Sequence, residues 1–381
     1  MSTIKFNVND VLPQLTIVAS IVAQKNLLPI YDNVLLKTYG NTLLLTASDN
    51  ATWLSMKAPL LEAPQEQVSI CVDAKKLTQA LKGLNGREVS IDVNEETHTI
   101  QATYANGKFS LPFLGEEDFV DFAGCEGEAV KKTIESNALI NAVYATKFAV
   151  ANDELRRIMN GIHFDFFKDG LSVCASDGMK LAKYTNSQIR LQDNEDVTSF
   201  TLPEKPATIL TTILQKSDSE VSVEFDDRSV VVKNDQFRLS AKLIEGRYPD
   251  YNRIIPTNNH NKCVVNKEDV LGALTRVMSL NSSQSELLVL HFTPLILTIK
   301  CEDIDYSTSA KEDVACQYAG DEITIGFKGS MLIQTIKNIP SDEVEIALSD
   351  QSHAGLFQPH TTNSEDTEQY LSLQMPMLMN S

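Results

Sequence analysis

TLPEKPATILTTILQKSDSEVSVEF, residues 201–225, reads as a short strand, an amphipathic helix, a polar turn and an alternating strand. The chain states this plan three times. SICVDAKKLTQALKGLNGREVSIDV fills 69–93, and TIGFKGSMLIQTIKNIPSDEVEIAL fills 324–348. The exit strands EVSIDV (88–93), EVSVEF (220–225) and EVEIAL (343–348) start 132 and 123 residues apart. A second element keeps the period. NDVLPQLTIVASIVA (9–23), SNALINAVYATKFAV (136–150) and EDVLGALTRVMSL (268–280) each set polar capping residues before an apolar-periodic run. Leu12, Leu139 and Leu271 take matching places, 127 and 132 residues apart. Self-similarity at a long, nearly fixed period means a repeated domain. The expected domains are 1–125, 126–256 and 257–381.

Between and after the helices lie alternating strands such as NVLLKTY (33–39), GIHFDFF (161–167) and FRLSAKLI (237–244). An Asn106–Gly107 turn marks a hairpin before KFSLPF. The acidic stretch 115–129 reads as a solvated linker, and the acidic insert 361–370 leads into a final strand, LSLQMPMLM. The class is α+β, each repeat carrying two helices among antiparallel sheets.

No apolar run approaches the roughly 18 residues that a membrane helix needs, and MSTIKFNVND has no signal-peptide pattern. Six cysteines (71, 125, 174, 263, 301 and 316) lie far apart with no CxxC, as expected of reduced, mostly buried thiols in a cytoplasmic protein. The six histidines share no ligand spacing with them, so no metal is expected.

A net charge of −18 taken alone argues against nucleic acid, since affinity for phosphate comes from Lys and Arg. The expected helices (10–25, 73–83, 136–147, 204–216, 267–280, 328–338) nevertheless hold eleven basic and five acidic residues, or +6, leaving −24 for everything else. Lys75, Lys205 and Lys328 each follow the last clearly apolar residue of the incoming strand (Val72, Leu202, Ile325) by three. Cations in a helix's first turn oppose its dipole, so their recurrence calls for a reason other than helix stability.

The order of elements, with LLPIYDNVLL (27–36), IMNGIHF (158–164), ASDGMKLA (175–182), EGRYPDYNRIIP (245–256) and MPM (375–377), resembles the beta subunits of bacterial DNA polymerase III, the replicative sliding clamps. The resemblance spans the whole chain. It implies three topologically alike domains forming half of a six-domain ring, a head-to-tail homodimer with helices around duplex DNA. It also implies a non-catalytic processivity subunit with no cofactor. Its partners would be double-stranded DNA, the replicative polymerase, the clamp loader and other factors bearing short apolar peptides, and no membrane.

Residue by residue, the DNA-facing set so implied is Lys25, Lys75, Lys76, Arg156, Arg157, Lys205 and Lys328. For the peptide pocket, IMNG supplies Met159, and ASDGMKLA supplies Ser176, Gly178, Met179, Lys180 and Leu181. YPDYNRI supplies Pro249, Arg253 and Ile254, the third-repeat helix supplies Met331, and the last segment supplies Leu373, Met375, Pro376, Met377 and Leu378. Met179–Lys180 stand where the family often has His–Arg, Gln374 interrupts an apolar run, and the chain continues past Leu378 to Met379, Asn380 and Ser381. These departures put the pocket's peptide preference in question. Phe109, Leu111 and Leu280 match ring-interface positions, although alternation alone would equally make Phe109 and Leu111 core residues.

No GxSxG, phosphate loop, GxGxxG after a strand or HExxH is present. Asp49 in TASDNATW and Asp177 in CASDGMKL stand 128 residues apart in matching repeat positions. Recurrence favours a turn role over catalysis, because Asp bonds its own downstream backbone. His163 and His291 read as ordinary, partly buried strand histidines. A peptide-binding scaffold that never touches DNA, and a hydrolase using scattered carboxylates, are the other readings the residues leave open.

Overall fold

The computed structural model describes residues 2–22, 28–84, 86–122, 124–125, 129–190, 198–215, 219–281, 286–303, 307–360 and 367–379. Its helices are α1 (Val8–Ala19), α2 (Ala74–Lys82), α3 (Ser136–Thr146), α4 (Glu204–Leu214), α5 (Lys267–Met278) and α6 (Gly329–Lys337). Asn7, Asp73 and Asn266 cap α1, α2 and α5 by accepting backbone N–H bonds with their side chains, which satisfies donors a helix start leaves orphaned.

Contacts divide the chain into two compact units, Met1–Asn137 with Lys205–Leu243, and Ala138–Glu204 with Ile244–Ser381. Each unit is built on one 12-stranded sheet. Sequence period and spatial compactness therefore cut the chain differently. The middle repeat gives Val130–Glu135 and the strands from Glu220 to Lys242 to the first unit, and the strands from Gly161 to Pro203 to the second.

Both sheets are assembled from four-stranded pieces with one rule. The strand entering a helix does not pair with the strand leaving it. Ser69–Asp73 enters α2 and pairs with Asn33–Tyr39, while Glu88–Asn94 leaves α2 and pairs with Ser2–Asn7. The same exchange recurs in the third repeat, where Ile323–Lys328 enters α6 beside Leu287–Phe292, and Glu343–Leu348 leaves it beside Asn261–Asn266. Each repeat's two halves are thereby stitched by hydrogen bonds, a register that local sequence does not announce.

Helices cover one face of each sheet. In the first unit Val11 and Leu15 of α1 and Leu77 and Leu81 of α2 close over Ile4, Phe6, Leu36 and Leu45. In the second, Val270, Leu274 and Val277 of α5 and Leu332 and Ile336 of α6 pack with Leu288, Leu290, Phe327, Val344 and Ile346. Fully burying each such side chain contributes about 1.5–3 kcal/mol.

Several expectations are corrected. The stretch after Leu114 is not simply solvated. Phe119 packs on Tyr31, Phe122 stacks on Trp53 at 4.7 Å, Trp53 Nε1 donates to the Val120 carbonyl, and Lys37 pairs with Glu116 at 2.5 Å. Its aromatic residues, with the Glu116 ion pair, hold its described part against the sheet. The hairpin loop is Ala105–Asn106, with Tyr104 opposite Gly107, which already belongs to the outgoing strand. The last strand stops at Gln374, just ahead of Pro376, which has no N–H to give a ladder.

The six helices are also shorter than periodicity suggested. Within their observed bounds they hold seven basic and four acidic residues, so the helical excess is +3. Lys147 and Lys328 fall outside them.

Candidate functional site

Two hairpins carry the matching Asp residues, and both use them as turns. Asp49 Oδ1 accepts from the N–H groups of Ala51 (3.0 Å) and Thr52 (2.7 Å). Asp177 Oδ1 accepts from Met179 (2.9 Å) and Lys180 (2.8 Å). The residue between has a positive φ in each, Asn50 at 69° and Gly178 at 90°, a region Gly and Asn tolerate best. Each hairpin then borders a strand from the next repeat, and one more bond recurs: Lys242 N to Ala51 O, and Met375 N to Met179 O, both at 2.8 Å.

The second of these joints, within the second unit, is the candidate site. Lys180–Asn186 pairs with Glu368–Gln374, setting Leu181 opposite Leu373. Leu181 and Leu373 form a buried cluster with Cys174, Tyr248, Tyr251 and Ala354, against which Ile158 and Leu356 pack. Met159 and Ser176 are buried; Met331, Pro376 and Met377 are half-buried. Around this floor Met179 (48 % exposed), Met375 (38 %), Ile254 and Leu378 lie open to solvent, as does Pro249. Flexible apolar side chains left exposed above a closed apolar floor suit a surface that must accept varied peptides.

Polar groups fix the rim. Lys180 is buried, its ammonium 2.7 Å from Asp177 Oδ2. Arg156 donates to Asp153 (2.8 Å) and to the Asp177 carbonyl (3.3 Å), and Gly178 gives it room, since a Cβ there would meet Nη1 at 2.9 Å. The geometry thus joins Arg156 to the cleft's turn. Arg253 pairs with Asp250 at 2.8 Å. Gln374 is fully buried; its Nε2 donates to the Lys328 carbonyl at 3.2 Å, and its Oε1 has no hydrogen-bond partner among the described residues.

A buried network that sequence reading passed over holds the segment bearing Pro249, Arg253 and Ile254. His163 stacks on Tyr248 at 4.5 Å and bonds Thr201 and Asp165. Tyr251 donates to Asp165 Oδ2 at 2.7 Å. Burial pushes the Tyr248 and Tyr251 phenols up and raises the Cys174 thiol beneath them. The available signal was the spacing of His163 and Asp165, two apart on one strand and so on one face.

Among the described residues, the cations expected to meet DNA lie at helix starts and at the short turn Arg157–Met159. Lys25 lies outside the described residues. Lys75 and Lys76 are exposed at the start of α2, Lys76 3.2 Å from Asp73. Arg157 is exposed. Lys205, second in α4, bonds the Ile21 carbonyl (2.7 Å) and pairs with Asp49. Lys328 does not share their slot. Phe327, buried in the incoming strand, is the last apolar residue there, so Lys328 is the N-cap of α6 and Ser330 takes the second helical place. The recurrence is therefore two lysines and a serine.

Among the described residues, two strands inside the sheets leave part of an edge unpaired. Gly107–Leu114 pairs with Thr99–Tyr104, but with Ser69–Asp73 only through Phe113 and Leu114. Thr308–Ala319 pairs along Ile296–Asp303, but with Asn261–Asn266 only from Cys316 onward. Phe109 and Leu111 are half-buried on the first. Leu280 is 48 % exposed beside the second, where Thr308 Oγ1 donates to its carbonyl.

Among the described residues no group of His, Cys, Asp and Glu is arranged to hold a metal, and no helix is long and apolar enough to cross a membrane.

A chain of repeats, with an apolar cleft at a joint and strand edges left unpaired among the described residues, has the architecture of a sliding-clamp subunit. Family models agree along the chain: the N-terminal, central and C-terminal domains of the DNA polymerase III beta subunit match residues 3–122, 133–250 and 252–377. The chain belongs to the DNA polymerase III beta subunit family. It is 28 % identical to the beta sliding clamp of Pseudomonas aeruginosa over 357 residues, covering 93 % of this chain and 95 % of that one. It is 26 % identical to that of Treponema pallidum over 348 residues, 90 % and 92 % of the two chains. The crystal structure of a P. aeruginosa sliding clamp bound to griselimycin superposes with a TM-score of 0.91 at 26 % identity, over 99 % of this chain and 100 % of that one.

Proposed function

We infer that this chain is a DNA sliding clamp, a non-catalytic subunit that encircles duplex DNA without reading its sequence and tethers the polymerase, as its family does. The observation that carries this is the tiling of the whole chain by the three clamp domains in order. The three sequence periods, 1–125, 126–256 and 257–381, are its domains in this reading.

Head-to-tail closure would pair the open edge at Phe109 and Leu111 with the edge beside Leu280 of a second copy. Unpaired edges invite association with other chains, and a closed ring removes both. Lys25, Lys75, Lys76, Arg157, Lys205 and Lys328 would contact phosphates, which supply affinity without sequence information. Arg156 is reassigned to the peptide cleft. There Met159, Ser176, Gly178, Met179, Lys180, Leu181, Pro249, Arg253, Ile254, Met331, Leu373, Met375, Pro376, Met377 and Leu378 would receive apolar peptides of the polymerase, the loader and other factors. The six free cysteines fit a cytoplasmic location.

The test is topological. Loaded onto nicked circular DNA, the protein should be retained in high salt and released when the circle is linearised. Equal retention on circles and linear DNA, or a solution mass of 42.2 kDa instead of twice that, would sink the reading.

A further inference from the structure

A second hollow of ≈400 Å³ opens on the sheet face that carries the cleft, within the second unit. Lys183, Thr185, Ser172, Asn252 and Gln369 are among its walls. Lys183 and Thr185 follow Leu181 at two-residue steps, so all three leave the same face of the sheet. Thr185 stands directly opposite Gln369 in the ladder.

Lys183 is the unusual member. The chain has 51 acidic residues against 33 basic ones, yet this half-buried ammonium has no carboxylate partner among the described residues. Its Nζ donates to Asn252 Oδ1 at 2.9 Å and lies 5.5 Å from the centre of the Tyr251 ring. That uses one of three ammonium donors. Asp165, whose charge it feels, is already engaged by His163 and Tyr251. Burial lowers the pKa of Lys183, as expected of a cation short of negative charge. The Thr185 hydroxyl and the Gln369 amide likewise have no side-chain hydrogen bond among the described residues. Lys183, with two ammonium donors to spare, the Thr185 hydroxyl and the Gln369 amide thus line one hollow.

We propose that this hollow is a carboxylate-binding site, with the acid seated on Lys183 and bonded by Thr185 and Gln369. A single cation, with Asp169 also in the lining, matches a singly charged carboxylate better than a phosphate dianion. The carboxylate comes either from a free small acid or from an Asp or Glu flanking the apolar peptide in the cleft. The latter source rests on the peptide-binding reading above. Asn252 shares the turn Tyr251–Ile254 with Arg253 and Ile254, so filling the hollow also steadies one wall of the cleft.

The experiment uses the full-length protein in two arms. In the first, acetate is titrated against chloride at matched ionic strength while the amide spectrum of the protein is recorded. Saturable shifts at Lys183 and Asn252, lost in Lys183→Met and restored in Lys183→Arg, indicate a free acid. In the second, a labelled apolar peptide flanked by Glu is compared with its Gln counterpart. A preference for Glu of about five- to tenfold on the native protein, and none on Lys183→Met, indicates a partner's side chain. Persistence of either response in a folded Lys183→Met protein, or absence of both, overturns the proposal. Failure of both peptides to bind would instead indict the cleft, leaving the acetate arm to decide the hollow.

Discussion

The joints at Asp49 and at Asp177 are the same construction put to different ends. Both turns are held by an Asp side chain accepting two backbone N–H groups, and both lend a carbonyl to the neighbouring repeat at 2.8 Å. At the first, the carbonyl belongs to Ala51 and the spare carboxylate oxygen reaches Lys205 of the next repeat. At the second, the carbonyl belongs to Met179, and the spare oxygen is turned inward to Lys180 three residues on. Duplication supplied one joint twice. A small residue and an outward ion pair close it; a methionine and a buried ion pair leave a rim around an apolar floor.

That contrast can be broken most sharply at the two aspartates. Asp177→Asn keeps the turn acceptor but strips the buried Lys180 of its counter-charge, which should cost about 3 kcal/mol. Asp49→Asn, whose partner Lys205 is well exposed, should cost under about 1 kcal/mol. Calorimetric melting of the two variants checks this, and equal losses would show that the joints are not differently built. Next in size, Met179→Ala or Met375→Ala should weaken binding of an apolar peptide about tenfold, about 1.4 kcal/mol, measured by fluorescence anisotropy. Ala51→Met at the first joint should leave peptide binding where it was.

The floor of the second joint offers a chemical test. Burial raises the thiols of Cys174 and Cys71, the latter to about 12, and thiolate is the reactive form. Iodoacetamide at pH 8 should therefore label the partly exposed Cys125 first, with Cys174 lagging by at least about tenfold, as mass spectrometry would show. Comparable rates would mean that the floor opens. Smallest is Gln374→Leu. It loses the bond to the Lys328 carbonyl but removes an unsatisfied buried oxygen, so stability should move by less than about 1 kcal/mol. A change in which peptides bind, seen by the same anisotropy assay, would sharpen the view of Gln374 as a determinant of preference.

Much of this was readable along the chain because it is local. Helix faces, alternating strands and Asp turns are each set by residues within a few positions, and threefold repetition multiplied the signal. The misreadings have a common cause. Counting from Ile325 puts Lys328 in register with Lys75 and Lys205, whereas burial of Phe327 sets the strand's end. The acids of 115–129 suggest a solvated linker, while Trp53 and Tyr31, more than sixty residues earlier, determine where Phe122 and Phe119 go.

By itself, the sequence determined the repeat, the composition of each element and the family, since these follow from short-range periodicity and from motifs in order. Only tertiary structure decided which strands pair across the halves of a repeat, which of two equivalent joints stays open, and that half-buried Lys183 has no carboxylate partner among the described residues. Those outcomes depend on groups far apart in the chain competing for the same hydrogen bonds and the same buried space.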